Sequence, residues 1–319
     1  MNKGKKTYTG KDLAFIIPTK DRPEKVRNLL QSIAKQGMPC GRIILVDGGS
    51  SIKSIVEAFS DRLPVEYYRC DPPGQIRQRN MGIALLDGST PLVGFLDDDI
   101  VLVDGALLEM IAFWNRVGPN TAGVSFNIVS DHSSFPSWAK AVVKRILPRQ
   151  GKVLSSGYHV SIENVDAHIK SQWLCGGATV WRQDILKEYR NREIPSQWAI
   201  GEDVMFSYPV GKAFPLYVCA DAKVRHEHVY DHNVKRKHRY YGRTVILWRF
   251  FFVESYPELS RSAFLMMMST EIAMRVLIGL ISMRKQDLQF ALGQIEGALA
   301  GLRATWGGKK LIHLLDDAN

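Results

Sequence analysis

Several things are scarce in this chain, and each scarcity removes a class of protein. It has four cysteines in 319 residues: Cys40, Cys70, Cys175 and Cys219. None of them forms a CxxC pair, which argues against a zinc site or a disulfide framework and makes free buried thiols the expectation. No Gly-x-Gly-x-x-Gly follows the first apolar run, where Pro18-Thr19-Lys20-Asp21-Arg22 stands instead. That counts against a dinucleotide-binding dehydrogenase, and the lack of Gly-Lys-Ser/Thr counts against a P-loop. There is no repeat of fixed period and no low-complexity tract. Met1 to Lys11 is polar and basic and not an apolar leader, so the expectation is a cytoplasmic protein without a signal peptide. Acids are outnumbered, 32 against 42 Lys and Arg, for a net charge of +10. A polyanionic partner follows from that charge, whether nucleic acid, a phosphorylated ligand or an anionic membrane surface. Hydrophobic content of 45% and charged content of 23% are ordinary for a soluble globular protein. The length suits one large domain or a domain with an appendage.

What is present centres on one stretch, Leu92-Val93-Gly94-Phe95-Leu96-Asp97-Asp98-Asp99-Ile100-Val101. An apolar run that reads as a buried strand ends in three carboxylates. Adjacent anions repel one another and resist desolvation, so they want a counter-charge. Mg²⁺ and Mn²⁺ prefer carboxylate oxygens, and open α/β sheets bind ligands at the carboxyl ends of strands. A solvated acidic turn capping the next helix is the plainer alternative.

The chain leading there alternates. Leu13 to Ile17 is the first strand. A helix follows, with Asp21 and Glu24 forming a capping-box pattern, Val26, Leu29, Leu30 and Ile33 its apolar stripe, and Gly37 its stop. Arg42 to Val46 is the second strand, Ile52 to Phe59 a helix, Pro64 to Arg69 the third strand and Ile76 to Leu86 a helix. This order indicates a doubly wound, mostly parallel sheet. Beyond the triplet, Asp104 can cap a helix bearing Leu107, Leu108, Ile111 and Trp114, and Val124 to Val129 reads as a strand. The pattern weakens over about 130–170, an insertion with a basic run at Lys140, Lys144, Arg145 and Arg149. In Trp173 to Trp181, Gly176-Gly177 inside an apolar strand suggests a ligand close to the backbone, or a bulge. Glu202-Asp203 opens a helix, where the helix dipole alone favours acids. Val224-Arg225-His226-Glu227-His228 offers two imidazoles on one strand face. The tail is helical and aromatic-rich. Phe264 to Met283 is strongly apolar, but Glu271 and Arg275 make it a poor transmembrane span. It reads instead as an amphipathic helix packed on the domain or lying on a membrane surface.

Taken together, these pieces resemble glycosyltransferase family 2, with the GT-A fold. The matching stretches are Ile16 to Pro23, Leu45 to Ser50, Arg77 to Gly82, Phe95 to Asp99, Gly176-Gly177, Gly201 to Asp203 and His226, in order over about residues 12 to 230. The resemblance implies an α/β GT-A domain over 1–235 with a C-terminal helical extension over 236–319. It implies a nucleotide-sugar site made of Pro18, Thr19, Arg22, Asp47, Gly74, Arg79, Asp97, Asp98, Gly176 and Gly177. Thr19, Arg22 and Asp47 would hold base and ribose, and Asp98 would face the ribose. Asp99 and His226 would bind Mn²⁺ or Mg²⁺, His228 being the second choice to His226. Asp203 would be the general base, with Glu202 as its neighbour and second candidate. Gly48 departs from the pattern, since many members carry an acid or Asn there.

The chemistry agrees with the residue types. A diphosphate leaves once its developing charge is neutralised by a divalent ion and by basic residues such as Lys223, Arg225, Lys235, Arg236 and Lys237. A hydroxyl attacks once a carboxylate takes its proton, which is worth about 10²–10⁴-fold. The implied function is inverting transfer from a UDP-sugar, or a GDP- or dTDP-sugar, to a glycan or lipid-linked acceptor in surface polysaccharide or glycoconjugate synthesis. Peripheral membrane contact and a homo-oligomer stay open as partners. A glycoside hydrolase would not need the triplet beside a nucleotide-type sheet, and a sugar-nucleotide pyrophosphorylase wants a Gly-rich basic loop that is missing. No nucleic-acid-binding module is recognisable. The alternative is a non-catalytic nucleotide-sugar- or glycan-binding module that retains the fold.

Overall fold

A computed structural model of the chain describes residues 7–129, 149–193, 200–227, 238–306, 311 and 314. His228, Lys235, Arg236 and Lys237 lie outside the described residues, as do Lys140, Lys144 and Arg145 of the basic run. The chain divides into two compact units. The first comprises 1–152, 160–192 and 206–228; the second comprises 153–159, 193–205 and 229–319.

The first unit is built on β1 (Leu13–Thr19), every residue of which is buried, as the near-continuous apolar run requires of a strand covered on both faces. Then come α1 (Pro23–Ala34), β2 (Arg42–Asp47), α2 (Lys53–Glu57), β3 (Val65–Arg69), α3 (Gln75–Ala84), β4 (Leu92–Leu96) and β5 (Ile100–Leu102). α4 (Ala106–Arg116), β6 (Gly123–Val129), β7 (Ile169–Ser171), β8 (Ala178–Arg182), α5 (Gln183–Glu188), α6 (Glu202–Ala213) and β9 (Leu216–His226) follow. The strands form one sheet in the order β3-β2-β1-β4-β8-β6-β9-β5, with β7 paired to β9. From β3 to β4 all pairs are parallel; beyond β4 antiparallel strands enter, beginning with β8. β1 runs parallel to both β2 and β4, so the chain turns one way to β2 and the other way to β4. Such a topological switch opens a crevice at the strands' carboxyl ends. Leu29, Leu30 and Ile33 of α1 and Leu107, Met110 and Ile111 of α4 pack on the sheet.

Two helix starts differ from the expectation. Asp21 does not cap α1, whose N-cap is Arg22 with no side-chain cap bond. Instead the Asp21 backbone adopts φ 54 and its Oδ1 accepts Ser50 N at 2.7 Å, a left-handed conformation that Asp tolerates better than most residues. Nor does Asp104 cap α4: Gly105 takes that place at φ 80, and Leu108 is exposed. None of the four cysteines forms a disulfide; three are buried and Cys175 is half-buried. Burial pushes the Cys40 thiol up to about 11.

The second unit holds the short bridge Val153–His159, the first turn of α6, and the helices α7 (His238–Ser255), α8 (Arg261–Ile281) and α9 (Lys285–Trp306). Its core joins Ile246, Phe250 and Val253 of α7 to Phe264 and Met268 of α8 and Ala298 and Ala304 of α9.

Candidate active site

Parallel register sets Thr19 beside Asp47 and Ile16 beside Phe95. The ends of β1, β2 and β4 therefore line one edge of the sheet, and the carboxylate triplet leaves β4 there. Each aspartate has its own partners. Asp98 turns inward, 5% exposed, and accepts Thr19 Oγ1 at 2.7 Å and Arg22 Nη1 at 3.0 Å. Burial raises its carboxyl pKa, with the Thr19 hydrogen bond and the Arg22 charge pulling the other way. Arg22 also reaches Asp99 Oδ2 at 3.5 Å. Burial works against its charge, yet Asp98 and then Asp99 hold the guanidinium pKa above its ordinary value.

Asp99 meets the histidine singled out in the sequence. β5 and β9 are antiparallel with Ile100 opposite His226, and His226 Nε2 lies 3.0 Å from Asp99 Oδ1. Burial alone would lower the imidazole pKa; the hydrogen bond and charge of Asp99 outweigh it and raise the value above 6.5. The Asp99 carbonyl accepts Glu227 N at 2.8 Å. Lys25 Nζ of α1 donates to the Glu227 carbonyl at 2.8 Å and ties that strand end to the helix. Lys223 and Arg225 are exposed on β9.

Asp97 is held from two sides. Its Oδ1 accepts Arg79 Nη2 at 2.7 Å and Gln75 Nε2 at 3.0 Å, both from α3. Arg79 is nearly buried, its guanidinium 5.7 Å from the Phe95 ring centre. On the other side Asp97 N donates to Gly177 O at 2.9 Å. A side-chain carbon at Gly177 would fall 2.1 Å from Asp97 Oδ2. The double glycine thus precedes β8 and does not sit inside a strand, and the group closest to Gly177 is Asp97. Gly176 is half-buried beside it.

Asp47 is wholly buried. Its oxygens accept Gly49 N at 2.8 Å, Tyr67 OH at 2.7 Å and Arg69 Nη1 at 2.8 Å, and the Arg69 side chain is 50% exposed. Pro18, opposite Val46, is buried in β1. Gly74 starts α3, and its N–H donates to Gln78 Oε1 at 3.3 Å. Gln78 Nε2 in turn bridges the Thr19 and Val46 carbonyls at 2.7 Å each, where β1 and β2 end. At Gly48, a side-chain carbon would lie 2.6 Å from Pro73 Cβ, so the space a larger residue would need is filled.

Glu202 and Asp203 open α6 as expected, after Gly201 at φ 74. Both belong to the second unit. Asp203 Oδ1 accepts Val204 N at 2.8 Å. His159 of the same unit has its pKa lowered by burial, with the Asp203 charge opposing and Arg249 reinforcing the shift. Sequence reasoning missed Gln75, Gln78, Tyr67, Arg69, Lys25 and His159. Tyr67 and Arg69 had a signal, since alternate strand residues share a face; His159 had none.

Residues 14–190 match the family model described as glycosyl transferase family 2. The chain belongs to that family and is a glycosyltransferase. No curated protein matches it. Among solved structures, the mannosyltransferase PcManGT from Pyrobaculum calidifontis, in complex with GDP-Man and Mn²⁺, is 12% identical over 97% of this chain and 92% of that one, with a TM-score of 0.54. S. aureus TarS 1–349 in complex with UDP-GlcNAc is 14% identical over 93% and 92%, TM-score 0.51. GalNAc-T7 with UDP, GalNAc and Mn²⁺ is 14% identical over 67% of this chain and 43% of that one, TM-score 0.50. At these identities the likeness establishes the GT-A fold.

Proposed function

We propose that the chain transfers a sugar from a nucleoside-diphosphate sugar to an acceptor hydroxyl, with inversion at C1. The observation that carries this reading is the division of labour in the aspartate triplet at the end of β4, at the topological switch of the sheet. Asp97 is braced by Arg79 and Gln75. Asp98 is held by Thr19 and Arg22, and Asp99 is paired with His226. Arg22, Thr19 and Asp98 would receive the ribose. Asp47, whose oxygens are all taken, would act on the base through Arg69, so it is a positioning residue. UDP-, GDP- and dTDP-sugars are the candidate donors; the solved relatives bound to UDP-GlcNAc and GDP-Man support a nucleotide-sugar.

Among the described residues no cluster of three or more metal-ligating side chains forms. Yet a carboxylate and an imidazole 3.0 Å apart suit Mn²⁺, which accepts both donor types, and diphosphate oxygens and water would complete the set. Asp99 and His226 are therefore the residues that would hold the metal, as Mn²⁺ in two relatives suggests. When bound, the ion would neutralise charge on the departing diphosphate. Asp203 is the proposed base that takes the acceptor proton, with Glu202 next in line. The acceptor is proposed as a glycan or lipid-linked sugar on the cytoplasmic side, in surface polysaccharide or glycoconjugate synthesis. The proposed division places the transferase in 1–235 and the helical extension in 236–319.

A screen of nucleotide-sugars for slow hydrolysis and for transfer tests the reading. Asp203→Asn is expected to keep donor affinity within about twofold while lowering turnover about 10²–10⁴-fold, the usual worth of a general base. Undiminished transfer by Asp203→Asn would remove the base from that position, and no turnover of any nucleotide-sugar by the wild type would overturn the function.

A further inference from the structure

Helix α8 turns Glu271 and Arg275 inward alongside the core residues Phe264 and Met268, and α8 and α9 leave a second set of apolar residues exposed. On α8 the inward row runs through Phe264, Met268, Glu271, Arg275 and Gly279, of which Phe264, Met268 and Gly279 are buried. Glu271 pairs with Arg249 of α7 and accepts Gln294 Nε2 of α9 at 2.9 Å. Arg275 Nη1 reaches Asp287 Oδ1 at 3.4 Å, and its guanidinium stacks 4.2 Å from the Phe290 ring centre. Both charges that interrupt the apolar sequence are thus answered inside the unit, and neither lies on the outer face. α9 follows the same plan. Gly293, Gly297 and Gly301 lie against α7 and Gln294 is buried, while Leu292, Ile295 and Leu299 are exposed.

The outer row of α8 and the turn after it comprises Met274, Leu277, Ile278, Leu280, Ile281 and Met283. Exposure rises along it from 50% at Leu277 to 74% at Ile281 and 87% at Met283. α8 is long and apolar enough to cross a membrane by length and composition, and 17% of its most apolar stretch is buried. A contiguous apolar face of this size marks a membrane or protein contact. Charge distinguishes the two. Arg284 and Lys285 are exposed at the α8–α9 turn, where apolar exposure is greatest, and the nearby Asp287 is already engaged by Arg275. Two copies meeting at this tip would bring four cations together without an acid between them. Anionic lipid headgroups supply the missing phosphates. With Lys285, Asp287, Glu296 and Arg303 on α9, the hairpin is too polar to traverse a bilayer.

We infer that this face seats on an anionic lipid surface. The tip from Leu280 to Met283 enters the acyl boundary, and Arg284 and Lys285 rest on headgroup phosphates. Such docking requires nothing of the donor site, so the two readings stand or fall separately.

Flotation of the full chain with phosphatidylcholine vesicles, with and without phosphatidylglycerol, tests it. The wild type is expected to float with the anionic vesicles. Ile281→Asp should weaken capture about tenfold or more by removing buried apolar surface. Arg284→Glu with Lys285→Glu should weaken it by about fivefold or more per residue. All three positions are exposed, so both variants should keep the wild-type melting temperature. Absence of capture by anionic vesicles, or capture of both variants equal to that of the wild type, would overturn the assignment. So would a wild-type dimer in sedimentation that Ile281→Asp converts to monomer without any loss of lipid binding.

Discussion

At Gly177 a single missing carbon decides the shape of the triplet. Any side chain there would fall 2.1 Å from Asp97 Oδ2, and moving Asp97 would take it from Arg79, a nearly buried cation. Stripping a buried charge of its partner costs about 3–5 kcal/mol, and partial relaxation reduces the loss. Gly177→Ala is therefore expected to lower stability by about 1–3 kcal/mol, read as a drop in melting temperature, and to reduce transfer at the same time. A wild-type melting curve would mean that Asp97 and Arg79 are not coupled through this glycine. At this scale the sequence was partly legible. Three adjacent acids marked a candidate site because like charges need a counter-charge, and His226 was marked by the His-x-His pattern and by the family resemblance. Of the partners of Asp97 and Asp98, the sequence reading had singled out Thr19, Arg22, Arg79 and Gly177 but not Gln75. Gln75, and Gln78 beneath the strand ends, are ordinary helix residues until α3 is docked under β1 and β2. Asp21 read as a helix cap, because local capping chemistry is the only contact a sequence displays. In the fold its carboxylate goes to Ser50, 29 residues away.

Among the elements, the strands and helices of the first unit up to β4 were legible, since period-2 and period-3.6 patterns report burial directly, whereas the short β5, β7 and α5 carry too few residues to show a period. What the pattern could not specify was direction: β4 pairs with β8 antiparallel, and an apolar run reads the same either way. The helical tail was the least legible part. Glu271 and Arg275 read only as charges that spoil a transmembrane span, and their partners Arg249, Gln294 and Asp287 on other stretches of the tail had no signal in the sequence. Glycines set the packing of α7 on α9. Gly242, Gly293 and Gly297 bring the helices together so closely that a carbon at Gly293 would stand 1.8 Å from the Arg239 carbonyl. A backbone oxygen cannot rotate away as a side chain can. Gly293→Ala is expected to cost about 1–3 kcal/mol as overpacking forces the helices apart. The measurement is helix loss by circular dichroism during chemical denaturation. An unchanged transition would show that the helices separate at no cost and that the glycines are incidental.

Over the whole molecule, charge and family membership point the same way. A net +10 favours polyanionic partners. The proposed account supplies two, a diphosphate at the end of β4 and anionic lipid at the α8–α9 turn, without calling on nucleic acid. The central claim is that the triplet is a metal-dependent nucleotide-diphosphate site, and a thermal shift of the full chain with UDP or GDP, with and without Mn²⁺, tests it most directly. At about a hundredfold excess over Kd a ligand adds about 2.7 kcal/mol, which in a domain of this size raises the melting temperature by about 5–10 °C. That rise is expected only when nucleotide and Mn²⁺ are both present, and is expected to vanish in Asp99→Ala. A rise that ignores the metal, or that survives Asp99→Ala, would contradict the claim.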